Sequence, residues 1–274
     1  MRYLFIMILI ILNLSAIGQS HEYPYIKPLF DFNPQKPIFK FTREQTDNQK
    51  RFLRFYALTG YREGIDEISP LFGINFDGKS DSLSKTRRLF MYNLSIEEML
   101  THGMVSRDHV ILEVKDPSKY RYLPEYGPKE NWMRKNAHCF ELLMPEGTLS
   151  ISLLDKFLSS VLQVKIAKEK RNIKVLVLER TSKLEKFRSK KNYKEYIDGN
   201  GKFKNVTFAA LKNFLRSDTI PFIDETQFSG RIDLDLVIDD WTDINKINNQ
   251  LQKYDLTLST KKRDVEMLII TEIN

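Results

Sequence analysis

The chain has 274 residues, a net charge of +7, 42% hydrophobic residues and a single cysteine, Cys139. That length supports one large or two ordinary domains with a proper apolar core. One cysteine excludes an intrachain disulfide, a multi-Cys zinc site and Cys-x-x-Cys redox chemistry.

Arg2 is followed by an unbroken apolar run, Tyr3 to Leu12, and then by Ser15-Ala16-Ile17-Gly18. A positive charge, a short apolar core and small residues before a cut form a signal peptide, here residues 1–18. Cleavage falls before Gln19, with His21 as the alternative. The run is shorter than the roughly 20 residues a membrane span needs, so no span is expected after cleavage. The expectation is export to the periplasm or beyond. Cleavage removes one basic residue, Arg2, and leaves a mild, diffuse basic excess that reads as a solvated surface.

Residues 19–84 read as an extended leader and a helix. Pro24, Pro28, Pro34 and Pro37 stand among aromatics, Asp47 to Leu58 carries a helical face, and Gly73 to Ser84 looks like a polar loop. From residue 85 the chain repeats itself. Phe90 to Leu100 and Lys202 to Lys212 both pass from a short strand through Asn (Asn93, Asn205), an aliphatic residue and Ser95 or Thr207 into an amphipathic helix. Ser95 and Thr207 suit the N-cap, Ser95 with Glu98 makes a capping box, and Leu94–Met99 and Val206–Leu211 make staples. Further on, an apolar helix face (Leu153 to Leu162; Ile244 to Tyr254) runs into a two-strand hairpin, Val164 to Leu178 and Leu256 to Ile270. Lys170-Arg171-Asn172-Ile173 and Lys262-Arg263-Asp264-Val265 occupy the same place in the expected turns.

Between these ends lie the strands His109–Lys115 and His138–Met144 in the first unit, and Ile220–Asp224 and Arg231–Ile238 in the second. The predicted fold is therefore α+β: two duplicated β-α-β-β-α-β-β units, 85–182 and 200–274, each an antiparallel sheet with two helices on one face. A basic linker helix, 183–199, joins them. The separator Asp116 to Ala137, rich in Tyr and Pro, is long in the first unit and short in the second.

No chemical motif stands out. His21, His102, His109 and His138 form no metal-ligand pair, and there is no nucleophile elbow, Gly-rich phosphate loop or dinucleotide turn. We expect no catalytic, cofactor or metal site. Asp224-Glu225-Thr226 and Asp239-Asp240 read as turn and cap residues. Asn93-Leu94-Ser95 and Asn205-Val206-Thr207 fit the glycosylation pattern, but their place at strand-to-helix junctions favours capping. The Lys183–Lys194 stretch reads as a solvated helix rather than a nucleic-acid site, given export. Cys139 should share the less buried face of its strand with Glu141 and be unreactive, since a reactive thiolate needs nearby positive charge.

The second unit resembles the "soil-associated" domain family of Gram-negative bacteria. The resemblance rests on Asn205-Val206-Thr207 and on Asp224-Glu225-Thr226-Gln227-Phe228-Ser229-Gly230-Arg231-Ile232-Asp233-Leu234-Asp235-Leu236, with Gln227 in place of the family's Gly and Ile232 in place of its aromatic. Leu153 to Leu178 resembles the same family's helix and strands. Members often follow a thioredoxin-like domain, which is missing here. The element order is also similar to the short N-terminal modules of secretins and TonB-dependent receptors, which bind other proteins. Two functions follow as expectations. One is a non-catalytic envelope module for an unknown protein or peptide, through an exposed sheet edge. The other is an envelope hydrolase using carboxylates such as Glu113, Asp224 or Glu225.

Overall fold

The structure, a computed structural model, describes residues 31–65, 74–190, 194–215 and 220–273. The signal-peptide segment 1–18 lies outside the described residues. The strands are β1 (Phe55–Gly60), β2 (Phe76–Asp81), β3 (Thr86–Leu94), β4 (Val110–Glu113), β5 (His138–Pro145), β6 (Val164–Arg180), β7 (Tyr196–Ile197), β8 (Lys202–Val206), β9 (Phe222–Asp224), β10 (Ile232–Asp235) and β11 (Leu256–Glu272). The helices are α1 (Arg43–Gln49), α2 (Ile96–Thr101), α3 (Lys129–Asn136), α4 (Ile151–Val161), α5 (Ala209–Lys212) and α6 (Ile244–Leu251). The fold is mixed α+β.

The strands form three sheets, ordered β1-β5-β3-β2, β10-β8-β7 and β4-β11-β6-β9. This corrects the expected hairpins. β6 and β11 run straight through the anticipated turns as 17-residue strands and pair antiparallel with each other along their whole length, from Val164↔Glu272 to Arg180↔Leu256. A tight two-residue turn would need left-handed backbone at both central residues. Neither Arg171-Asn172 nor Arg263-Asp264 has a glycine to supply it, and the open ladder pairs the two strands without it.

The β4-β11-β6-β9 sheet is mixed, not purely antiparallel. β4 runs parallel to β11 (Val110↔Leu268 to Glu113↔Thr271) and β9 parallel to β6 (Phe222↔Leu176 to Asp224↔Leu178). These registers are equivalent under the repeat, since Leu176 and Leu268 hold the same place in their 17-residue strands. Each strand completes the other unit's core. Leu268 and Ile270 of β11 pack with Met99, Leu142, Leu154 and Val110, whereas Leu176 and Leu178 of β6 pack with Phe203, Leu211, Leu234 and Ile247.

Backbone details repeat as well. Asn93 and Asn205 are left-handed (φ 52 and 51), as are Gln163 and Asp255 (both φ 54). Asparagine and aspartate tolerate this region better than most residues. The two Asn-x-Ser/Thr sites are thus explained by a strand-end kink rather than by capping. Ser95 does cap α2 through the expected box with Glu98. Thr207 does not: Phe208 takes the N-cap of the four-residue α5, with no side-chain cap.

Three local expectations are corrected. α1 ends at Gln49, and Phe55 to Leu58, read as the end of a helix, belongs to β1 and pairs with β5 instead; its aromatic residues and Thr59 suit a half-buried pleat. Part of the presumed loop, Phe76–Asp81, is a strand hairpinned to β3. Among the described residues of 183–199 there is no helix. Phe187 is fully buried, edge-on to Phe208 and Phe228 at 5.1 and 5.0 Å, and its carbonyl accepts from Asp233 N at 2.7 Å. Core packing has overridden the basic helical pattern.

The leader changes the first sheet. Phe32 and Ile38 pack with Phe90, Tyr92 and Cys139, so both faces of that sheet are covered. Cys139 and Glu141, expected on the less buried face, are both 0% exposed. Glu141 meets Arg88 at 2.7 Å and accepts from Ile38 N at 2.9 Å, while Arg88 also donates to Asn33 O at 2.6 Å. A buried ion pair so bonded clasps residues 33–38 to the sheet.

Candidate functional site

The two units differ most between β4 and β5, where Val114 to Ala137 stands against Glu225 to Arg231 between β9 and β10. The extra chain is firmly built. Asp116 accepts from Ser118 N at 3.1 Å, Trp132 Nε1 donates to Ser118 O at 2.6 Å, and Tyr122 OH donates to Gly127 O at 2.9 Å. Tyr122 and Trp132 rings lie 5.6 Å apart. Gly127, at φ 92, makes the turn into α3.

Two anchors tie this insertion down. The Arg121 guanidinium bonds Glu97 on α2 and Val110 O, and Tyr120 OH donates to Glu272 at 3.0 Å. Burial raises the Glu97 carboxyl, with Arg121 and Arg107 opposing it. Burial and Glu272 push the Tyr120 phenol up to about 12.

The insertion forms one wall of a cleft of about 420 Å³, within the usual range for ligand sites. Tyr122, Trp132 and Met133 of the insertion line it together with Tyr61, Ile65, Ile74, Asn93, Ser95 and Glu98. Arg107 and Lys129 also line it. Most polar groups are already engaged. Asn93 exchanges hydrogen bonds with the Arg62 backbone at 2.9 and 2.8 Å, Tyr61 OH donates to Glu63, and Glu98 Oε2 accepts from Ser95 N at 2.8 Å and Ser95 Oγ at 2.7 Å. The structure brings these residues together; sequence reasoning had named none of them as a site. The signal available was the unequal length of the two separators.

The carboxylates considered for hydrolysis are held apart. Glu113 pairs with Arg171 at 2.8 Å and Glu225 with Arg263 at 2.7 and 2.9 Å. They are equivalent residues of the two units, at the ends of the edge strands β4 and β9 with β11 and β6 between, roughly three strand spacings or 14 Å in sheet width. The Arg263 guanidinium holds the Glu225 carboxyl below its ordinary range, the reverse of what a general acid needs. Asp224 closes a turn, accepting from Thr226 N at 2.9 Å and Oγ1 at 2.6 Å. Asp243 caps α6, and Asp239 pairs with Lys246 at 3.1 Å.

The histidines do not gather either. His102 is buried at the end of α2, 3.6 Å from Asp155; His109 Nδ1 lies 3.0 Å from Asp108; His138 begins β5; His21 is outside the described residues. Among the described residues, no cluster of three His, Cys, Asp or Glu could hold a metal ion. Cys139 Sγ donates to Asn93 Oδ1 at 3.2 Å, and burial pushes its thiol up to about 11. No described helix is long and apolar enough to cross a membrane.

Comparison with protein-family models, with curated proteins and with solved structures finds no match for this chain.

Proposed function

We propose that the protein is an exported, non-catalytic module of the cell envelope, related to the soil-associated domain family, that binds a protein or peptide segment in the cleft of its first unit. The observation that carries this reading is the asymmetry of the repeat. Two equivalent units share a core ladder, yet only one bears the Tyr- and Trp-containing insertion that walls the cleft. Such a wall orders a partner by apolar contact, with polar groups fixing its register. Relationship to the family is supported by Gln227, which stands where the family pattern has glycine and whose backbone is left-handed at φ 57. Export is supported by the sequence of residues 1–18.

The test has two arms. Mass spectrometry of protein recovered from its native cells should give a chain beginning at Gln19 or His21; an intact Met1 overturns export. Random peptides displayed on phage should yield binders to the full chain whose binding is abolished by Met133→Trp, which fills the cleft. Binders indifferent to that substitution overturn the cleft as the binding site.

A further inference from the structure

The cleft's charge balance goes one step further than its shape. Among the described residues three charged side chains line it, of which Glu98 is the acid, and its Oε2 is committed to the α2 capping box. Lys129 is exposed at the start of α3, and no carboxylate of the described residues lies within ion-pair distance of it. Arg107 reaches Glu97 only at 3.8 Å, and that carboxylate is already bonded by Arg121 at closer range. The aromatic polar atoms are no competitors. Tyr61, Tyr122 and Trp132 all bond within the chain through their polar atoms.

Resting on the binding reading above, we infer that the cleft takes an acidic peptide segment: an Asp or Glu side chain set against Lys129 and Arg107, beside an apolar or aromatic residue against the half-buried Tyr122 and Met133. A neutral or basic segment would cover Lys129 without giving it a counter-charge and would leave Arg107 with only its 3.8 Å contact to Glu97, which is costly once either cation is partly desolvated. Guanidinium and ammonium differ in what they offer. Arg107 can present paired N–H donors to a carboxylate, whereas Lys129 acts as a point charge.

The experiment reads the composition of the displayed peptides that bind the full chain in a Met133→Trp-sensitive manner. We expect them to be enriched in Asp and Glu next to Phe, Tyr, Trp or Leu. Lys129→Ala should weaken a representative synthetic binder about fivefold at low salt, the scale of a half-exposed ion pair. Raising the ionic strength should erase most of that difference. Selection against Lys129→Glu, an exposed position that leaves the fold intact, should lose the acidic preference. Cleft-directed binders without acidic residues, or acidic binders indifferent to both Lys129 variants, overturn this inference and leave the binding reading standing. Equal binding of a simple aromatic carboxylate such as phenylacetate also overturns it, in favour of a small-molecule site. Absence of any Met133→Trp-sensitive binder overturns the binding reading itself.

Discussion

Asn172 Nδ2 donates a 2.7 Å hydrogen bond to Asp264 Oδ1 across the centre of the β6–β11 ladder, and the two residues are each other's counterparts in the repeat. A pseudo-twofold axis passes between them. It is the one rung where a duplicated strand must face its own copy, so identical residues there would meet like against like. An amide against a carboxylate is complementary; two carboxylates are not.

The two exchanges at this rung should therefore differ. Asn172→Asp puts like charges directly opposite each other, at a cost of about 0.2–1 kcal/mol, larger at low salt than at high. Asp264→Asn leaves an amide pair and should change stability less. Urea titrations of both variants at two ionic strengths measure the difference, and equal midpoints would contradict the axis as drawn.

Arg88 and Glu141 form the buried pair beneath the leader, with side chains 5% and 0% exposed. Arg88→Met strands the carboxylate and should cost about 3–5 kcal/mol. Adding Glu141→Leu should restore much of that loss, less the bond to Ile38 N. The double-mutant cycle is read by denaturant midpoint. A cost below about 1 kcal/mol for Arg88→Met would show the clasp to be dispensable.

Gln227 holds a left-handed backbone that costs a residue with a Cβ about 1–2 kcal/mol relative to glycine. Part of that gain returns as the greater freedom of glycine in the unfolded chain. Gln227→Gly should therefore stabilise the protein by about 0.5 kcal/mol and raise its melting temperature. Destabilisation would mean that the Gln227 side chain contributes more than its backbone costs.

Burial lowers the pKa of both His102 and His138, and His102 Nε2 and His138 Nδ1 have no hydrogen-bond partner. Between the unfolded value near 6.5 and the lower folded values, the unfolded chain binds more protons, so stability rises with pH through that window and is lost as pH falls through it. Denaturation midpoints should decline on acidification below about pH 6.5. Replacing both histidines with Gln should flatten the slope there. A midpoint unchanged from pH 7 to 5 would contradict it.

With its thiol pushed up to about 11 and fully buried, Cys139 should resist iodoacetamide in the folded chain at neutral pH and react fully in denaturant. Rapid labelling of the native protein at pH 6 would refute this.

The capping box at Ser95, the Leu94–Met99 staple positions, the Asp243 cap and the turn at Asp224 are local, and each was legible because its chemistry lies within a few residues; the Val206–Leu211 staple was not formed, since the N-cap of α5 is Phe208 rather than Thr207. The exchange of β6 and β11 was not. In a closed hairpin, Leu178 would face a residue of its own unit near Ile166; in the structure it faces Leu258, the counterpart of Ile166 in the other unit. Both arrangements give the same alternation and bury the same positions, so no local pattern separates them. Cys139 and Glu141 were misplaced for a related reason: the cover over their face comes from Phe32 and Ile38, about a hundred residues earlier. The cleft combines segments near residues 61, 94, 107 and 132, and only the length of the separator pointed to it.

The exchanged ladder also sets a timetable for synthesis. Val110 must wait for Leu268, and Leu158 finds part of its core only in Leu268 and Ile270. A ribosome that has released everything up to Glu195 still holds back the strand that seals the first unit. Contacts so distant along the chain make folding slow, and the nascent polypeptide should stay loose and protease-sensitive until the last long strand emerges. Both halves then become compact in a single late event.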